Sequence, residues 1–222
     1  MANKNSKALK QAAAESALRF VPPGSVIGVG SGSTIEFFIA ALAHRRELIS
    51  GAVATSKASA ELLTSAGIPI CDPNFIEQLP VCVDGADEIN LELEMIKGGG
   101  GALTREKIVA AMSRIFVCVA DESKLVARLG RFPLAIEVIP MAAGYVGHEL
   151  ARHGGRPLLR EGFLTDNGNV ILDVHDLPIS NPVDLEGEIN QIAGVVTCGI
   201  FARRHADVLL LSRPSGVEEH RR

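Results

Sequence analysis

The chain has 222 residues, a net charge of −4 and a hydrophobic fraction of 47%. This length accommodates one large domain or two smaller ones, and the composition is typical of a globular protein. Because binding to a phosphate backbone needs a basic face and the basic residues here are scattered, we expect no nucleic-acid partner. No apolar stretch is long enough to span a bilayer, and the N-terminus lacks the apolar segment of a signal peptide. We therefore expect a cytoplasmic protein with no membrane partner.

The cysteines indicate a reducing compartment and no structural metal. They lie far apart, at Cys71, Cys82, Cys118 and Cys198. No Cys-x-x-Cys motif occurs, and no cysteine and histidine residues have the spacing of zinc ligands. The last three cysteines lie in apolar runs, so we predict buried free thiols, as is usual in the cytosol.

The first half of the chain alternates helices with short apolar strands. The sequence predicts helices over 6–20, 34–42, 57–66 and 106–114, and strands over 26–29, 52–54, 68–70, 81–83 and 115–119. This alternation is typical of a parallel sheet with helices on both faces. We predict a Rossmann-like α/β main domain comprising residues 1–129 and 205–222, to which a strand over 206–211 returns.

The pattern changes after about residue 130. It predicts strands over 134–139, 156–160, 169–174 and 195–201, helices over 142–153 and 184–192, and a hairpin turn at 166–168. The order β-α-β-β-α-β is the ferredoxin-like pattern. We therefore predict a second, smaller ferredoxin-like α+β domain over residues 130–204.

The segment GVGSGST at 28–34 has the pattern of an anion site. A strand is followed by a glycine loop and a helix start, where backbone N–H groups and the helix dipole favour negative charge. Ser31, Ser33 and Thr34 add hydroxyl donors. The alternative is an ordinary turn in which Ser33 or Thr34 caps the helix and nothing binds. Ser33 replaces the third glycine of a dinucleotide fingerprint and no P-loop motif occurs, so the loop better fits a single sugar phosphate. We predict no cofactor.

The segment 81–106 gathers the groups that an isomerisation needs. Asp84 and Asp87 follow a buried strand, where ligands of α/β sheets bind, and Lys97 precedes four glycines. Glu106 falls in the first turn of a predicted helix, and Lys124 follows another strand. Each has an ordinary explanation by itself, such as a turn aspartate or a glutamate that favours a helix N-terminus. Together they supply a carboxylate base, oxyanion donors and cations, which suffice for aldose–ketose isomerisation without a metal.

These motifs resemble the ribose-5-phosphate isomerase A family over nearly the whole chain. The matching segments are GVGSGST at 28–34, ATSKAS at 54–59, DGADEIN at 84–90, KGGGGALTREKI at 97–108, ADESKL at 120–125, FPLAIEVIP at 132–140 and TDNGNVILDV at 165–174. The resemblance implies a cofactor-independent interconversion of ribose 5-phosphate and ribulose 5-phosphate in the pentose phosphate pathway. It also implies an α/β domain with a ferredoxin-like lobe, and a homodimer or homotetramer.

The resemblance assigns roles to individual residues. It implies that Glu106 carries the proton between C1 and C2, that Asp84 lies near the substrate oxygens and that Asp87 helps to open the furanose ring. It implies that Lys97 stabilises the enediolate oxygens. The residues that it implies for binding of the substrate or its phosphate are Ser31, Gly32, Ser33, Thr34, Asp84, Gly85, Ala86, Asp87, Lys97, Gly98, Gly99, Gly100 and Lys124.

Two other functions are compatible with such a fold. A non-catalytic sugar-phosphate sensor would keep the phosphate loop but would not need the acids. An acyl- or CoA-transferase would use Glu106 as a nucleophile, and the lack of additional length for binding adenine disfavours it.

Overall fold

The computed structural model describes residues 2–222, with side chains from Ser6 onward. The helices are α1 Ala2–Ser16, α2 Ser33–Ala43, α3 Lys57–Ser65, α4 Leu103–Met112, α5 Ala143–Arg152 and α6 Pro182–Asn190. The strands are β1 Ser25–Val29, β2 Ile49–Ala54, β3 Leu79–Asp84, β4 Glu88–Ile89, β5 Met95–Ile96, β6 Ser113–Asp121, β7 Leu134–Val138, β8 Arg156–Leu159, β9 Val170–His175, β10 Val195–Cys198, β11 Ile200–Phe201, β12 Val208–Arg213 and β13 Gly216–Arg221.

The chain divides into two compact units. The first comprises the chain up to Ala86, Arg105–Leu125 and Ala206–Arg222, and the second comprises Asp87–Thr104 and Val126–His205. The second unit thus differs from the predicted lobe of 130–204, because it also contains Asp87–Thr104. The reason is pairing: β4 and β5 form a three-stranded sheet with β11, and Ile96 packs in the core of the second unit. No short-range pattern in the sequence indicates this pairing.

The first unit is built on a six-stranded sheet with the order β13-β12-β6-β3-β1-β2. All neighbours are parallel except β12 and β13, which are antiparallel. Its core combines side chains of the strands with those of the surrounding helices, including Ala13, Ile27, Phe38, Leu63 and Val81. The predicted α/β architecture is confirmed.

The strand order sets the position of the candidate site within this unit. Strands β6, β3 and β1 are neighbours and run parallel, so their carboxyl ends lie at one edge of the sheet. The segments that follow them begin at Gly30, Gly85 and Glu122. Ligands of such sheets bind outside this edge.

The second unit contains a four-stranded antiparallel sheet with the order β10-β7-β9-β8. With α5 between β7 and β8 and α6 between β9 and β10, the chain follows the predicted ferredoxin-like order. Buried side chains of the sheet and both helices form its core, among them Ile136, Val146, Leu150, Leu172 and Ile189. The smaller α+β fold is therefore confirmed.

Two predicted strands differ from the structure, and one strand at the edge of the sheet was not predicted. The segment 68–70 forms only a single bridge, between Ile70 and Ala52. The strand predicted over 195–201 is divided at Gly199 into β10 and β11, which belong to different sheets. A Cβ at Gly199 would lie 2.2 Å from the carbonyl oxygen of Lys97, so only glycine allows this close approach. Strand β13 was not predicted, since its residues are mostly polar and exposed at the edge of the sheet.

As predicted, Cys82, Cys118 and Cys198 are buried, and none of them forms a disulfide within the part of the chain that the structure describes. Over residues 2–222, no helix is long and apolar enough to cross a membrane. The same residues contain no group of three or more potential metal ligands among histidine, cysteine, aspartate and glutamate.

A buried carboxylate organises the loop between β8 and β9. Glu137 of β7 is fully buried and accepts hydrogen bonds from Thr165 Oγ1 at 2.9 Å, Asn169 Nδ2 at 2.7 Å and Asn167 Nδ2 at 3.1 Å. The Oγ1 of Thr104 donates a further hydrogen bond. Because every one of these donors is neutral, the negative charge is stabilised by hydrogen bonds alone.

Glu137→Ala is therefore expected to lower the free energy of unfolding by about 2–4 kcal/mol, because it leaves several buried donors without their acceptor. Urea denaturation measures the change. Glu161→Ala, in the exposed part of the same loop, is the control and should change stability by less than about 0.5 kcal/mol. Equal stability of the two variants would show that the network contributes nothing.

Candidate active site

Ser31 connects two buried carboxylates in the first unit. Its hydroxyl donates a hydrogen bond to Oε1 of Glu106 at 2.7 Å, and its backbone N–H donates to Oδ1 of Asp84 at 3.0 Å. Asp84 is 1% exposed and Glu106 is 5% exposed. As predicted, Glu106 lies in the first turn of a helix, here α4. Three residues from distant parts of the chain thus hold each other in a fixed geometry.

Gly30 makes this arrangement possible. Its N–H donates to the carbonyl oxygen of Val83 at 2.9 Å, and its own carbonyl accepts from the hydroxyl of Ser59 at 2.7 Å. A Cβ at Gly30 would lie 1.9 Å from Oδ1 of Asp84. The absence of a side chain therefore lets the loop approach Asp84 closely enough for the Ser31 hydrogen bond.

The N-terminus of α2 follows directly and has no side-chain cap. Gly32 is the N-cap residue, with φ of 88°, and it provides no side-chain hydrogen bond to cap the helix. The alternative considered from the sequence, in which Ser33 or Thr34 caps this helix, is wrong, because Gly32 is the N-cap residue. Ser33 and Thr34 instead form the first turn itself. An eleven-residue helix whose N-terminus lacks a cap has the positive potential that an anion site requires.

Lys10 of α1 was missed by the sequence reasoning. Its Nζ donates to Oγ of Ser33 at 2.9 Å, which brings an ammonium group to the N-terminus of α2. The two residues are 23 positions apart and belong to no common motif, so the sequence contained no signal for this contact.

The remaining predicted residues of the first unit follow β3 and β6. Gly85 and Ala86 are half-buried after β3, and the N–H of Gly85 donates to Oδ1 of Asp84 at 2.7 Å. Lys124 ends a short turn of helix, Glu122–Lys124, that Asp121 caps by accepting the N–H of Ser123 at 3.0 Å. Its side chain is half-buried.

The second unit contains the other predicted group. Asp87 accepts the N–H of Gly99 at Oδ2, at 2.8 Å, and its own N–H donates to the carbonyl of Ile96 at 2.9 Å. Lys97 is buried, and its Nζ lies 5.6 Å from the centroid of the Phe201 ring, which stabilises its charge. Among the glycines, Gly98 is buried with φ of 108°, whereas Gly99 and Gly100 are exposed.

Comparison with known proteins gives consistent matches. The family model described as Ribose 5-phosphate isomerase A (phosphoriboisomerase A) matches residues 51–216. The structure of ribose 5 phosphate isomerase A from Neisseria gonorrhoeae is 51% identical, with a TM-score of 0.96 and 97% of each chain covered. That of ribose 5-phosphate isomerase A from Methanocaldococcus jannaschii is 39% identical, with a TM-score of 0.93 and coverage of 98% of this chain and 100% of the other. A D-ribose-5-phosphate isomerase in complex with phospho-erythronic acid is 38% identical, with a TM-score of 0.93 and coverage of 98% and 99%.

The fold of the two units agrees with that of these relatives, which are ribose 5-phosphate isomerases. The chain is therefore an aldose–ketose isomerase by class. The chain belongs to the ribose 5-phosphate isomerase A family. The resemblance found in its sequence motifs is thereby confirmed.

Proposed function

We propose that the protein interconverts D-ribose 5-phosphate and D-ribulose 5-phosphate through an enediol, with Glu106 as the base that transfers the proton. The observation that carries this proposal is the carboxylate of Glu106, which is almost fully buried and oriented by the Ser31 hydroxyl at 2.7 Å. A base acts efficiently when it is held within reach of the proton that it removes. Membership of the family supports the same assignment.

The reaction proceeds from the open-chain aldose. Glu106 takes the proton from C2, the electron pair of the C–H bond forms a C1=C2 double bond, and the π electron pair of the C1 carbonyl moves to O1, which takes up a proton from water. Glu106 then returns its proton to C1, where the electron pair of the double bond forms the new C–H bond, and O2 releases its proton to water as the C2 carbonyl forms. The protein is unchanged and no electron is gained or lost overall, so the step needs no redox partner.

The other charged residues have complementary roles in this proposal. Asp84 orients the substrate hydroxyls, Asp87 helps to open the furanose ring, and Lys97 stabilises the negative charge that develops on the enediolate oxygens. The loop Gly98–Gly100 contributes backbone groups that bind substrate. The relative solved with phospho-erythronic acid supports the charge argument, because the carboxylate of this acid carries negative charge where an enediolate would. We expect this acid to inhibit the protein competitively.

We propose that the substrate phosphate is bound by Ser31, Gly32, Ser33 and Thr34, together with Lys124, Gly85 and Ala86 at the same edge of the sheet. The uncapped N-terminus of α2 supports this, as does the ammonium of Lys10 at 2.9 Å from Ser33 Oγ. Lys10 was not among the phosphate-binding residues expected from the sequence.

Lys124→Ala and Lys10→Ala are each expected to raise KM for ribose 5-phosphate by about tenfold with a smaller change in kcat, since each removes a charge that binds the unreactive end of the substrate. Steady-state kinetics measure both constants. Lys7→Ala is the matched control, because Lys7 lies in the same helix as Lys10 and is exposed. An unchanged KM in a variant would remove that lysine from the phosphate site.

We further propose that the enzyme acts in the non-oxidative branch of the pentose phosphate pathway, in the cytoplasm, as a homodimer or homotetramer. The cysteines of the described chain are present as thiols and form no disulfide, which supports a reducing compartment. Light scattering coupled to size-exclusion chromatography tests the assembly, and a monomer of 23.5 kDa would contradict it.

Turnover by the purified protein tests the proposed activity. Ribose 5-phosphate is incubated with the protein in the presence of EDTA, and ribulose 5-phosphate is quantified over time. The proposal predicts rapid formation of the ketose in a metal-independent manner. Binding of ribose 5-phosphate without any ketose would instead identify the protein as a non-catalytic sensor of sugar phosphates.

A further inference from the structure

Arg160 lies in the second unit, directly after β8. Its side chain is only 18% exposed and forms a bidentate ion pair with Asp173 of β9. The Nε atom lies 2.8 Å from Oδ2 of Asp173, and one terminal nitrogen lies 2.5 Å from Oδ1. A forked pair of this kind fixes the plane of the guanidinium group.

The remaining donors of Arg160 point to the glycine loop that follows Lys97. Both terminal nitrogens lie 3.2 Å from the carbonyl oxygen of Gly98, and one lies 3.2 Å from that of Gly99. The ring of Phe163 covers the guanidinium group, with its centroid 5.3 Å from Cζ. Arg160 thus holds two successive carbonyl groups of a loop that has no side chains of its own.

The Gly98 carbonyl and the Gly99 N–H belong to the same peptide group. Because this group is planar and trans, its two polar atoms point in opposite directions, and orienting one orients the other. The carbonyl is held by Arg160, and the N–H donates to Oδ2 of Asp87 at 2.8 Å. A Cβ at Gly99 would lie 2.8 Å from Oδ1 of Asp87, so a side chain at this position would crowd the carboxylate.

We propose that Arg160 is a positioning residue for catalysis: through the rigid Gly98–Gly99 peptide it sets the orientation of the Asp87 carboxylate. Asp173 keeps the guanidinium in the plane from which it reaches both carbonyls. This inference rests on the role proposed above for Asp87 in opening the sugar ring. A lysine at position 160 has a single ammonium group and is unable to replace all of these contacts at once.

Kinetics of a double-mutant cycle test the coupling. Arg160→Met is expected to lower kcat by about 10–100-fold with little change in KM, because a displaced reacting group slows the chemistry rather than the binding. In a protein that already carries Asp87→Asn, the same change should have little additional effect. If the fold-loss of kcat in the double variant equals the product of the losses in the two single variants, the proposal is overturned.

Arg156→Met is the matched control. Arg156 lies in β8, four residues earlier, and forms an exposed ion pair with Asp176 at 3.4 Å. The substitution Arg156→Met should leave kcat unchanged. Arg160→Lys provides a second variant in case methionine at this position impairs folding, and we expect it to lose activity as well, to a smaller extent.

The amide resonance of Gly99 in a ¹⁵N–¹H NMR spectrum gives a readout that is independent of activity. Its proton should move upfield in both Arg160→Met and Asp87→Asn, as the hydrogen bond to the carboxylate weakens, and should stay in place in Arg156→Met. An unchanged Gly99 resonance in the Arg160 variants would overturn the proposal. If Asp87→Asn turns over normally, the catalytic role of Asp87 is wrong, and the Gly99 resonance still decides whether Arg160 orients it.

Discussion

Glu106→Gln is expected to fold normally and to lose about 10²–10⁴-fold in kcat, the usual contribution of a general base. Glutamine has the same shape as glutamate, and its carbonyl oxygen accepts the hydrogen bond that Ser31 Oγ donates at 2.7 Å. The link between Ser31 and Asp84 is therefore retained. Only the ability to take a proton from carbon is lost, so KM should change little.

Steady-state kinetics in both directions of the reaction measure this effect, and circular dichroism verifies the fold. Glu61→Gln is the control, because it makes the same chemical change on the exposed face of α3. It should behave like the unmodified protein. Near-normal turnover of Glu106→Gln would exclude Glu106 as the base, whatever the effect on KM.

Gly30→Ala is expected to lower kcat/KM by about 100-fold or more, the effect of displacing a catalytic group by about 1 Å. The new methyl group would lie 1.9 Å from Oδ1 and 2.6 Å from Cβ of Asp84, so the loop or the aspartate has to move. Asp84 has little freedom, since its Oδ1 also accepts the N–H of Gly85 at 2.7 Å. A movement of the loop carries Ser31 away from both carboxylates.

Enzyme kinetics together with thermal unfolding test this prediction. Gly144→Ala is the control: Gly144 lies in α5, and a Cβ there would contact nothing within 4 Å. A Gly30→Ala variant that unfolds at a normal temperature but has lost activity is the expected result. Normal activity would show that the close approach of Gly30 to Asp84 does not position the site.

Much of the site could be predicted from short segments of the sequence. The short apolar run that ends at Asp84 predicted a strand end with a polar residue at the edge of a sheet, and β3 ends at that residue. Glu106 was predicted in the first turn of a helix, and α4 has this residue in its first turn. Both predictions depend only on neighbouring residues, whose backbone preferences act over a few positions.

The connections between these segments were not predictable in the same way. The hydroxyl of Ser31 contacts Glu106, 75 positions away, and the sequence did not predict this contact. Lys10 contacts Ser33, and Arg160 contacts Gly98, again over long separations. Such contacts arise from strand order and loop packing, which hydrophobic periodicity does not encode. The same holds for Asp87–Thr104, whose place in the second unit is set by pairing with β11.

The most direct test of the central claim, that Glu106 transfers the proton, is isomerisation of ribose 5-phosphate in D₂O with EDTA, followed by NMR. The unmodified protein should form ribulose 5-phosphate and introduce deuterium at C1 or C2 during turnover. In Glu106→Gln, ketose formation and labelling should fall together by about 10²–10⁴-fold. Ketose formation by Glu106→Gln at the rate of the unmodified protein would contradict the account.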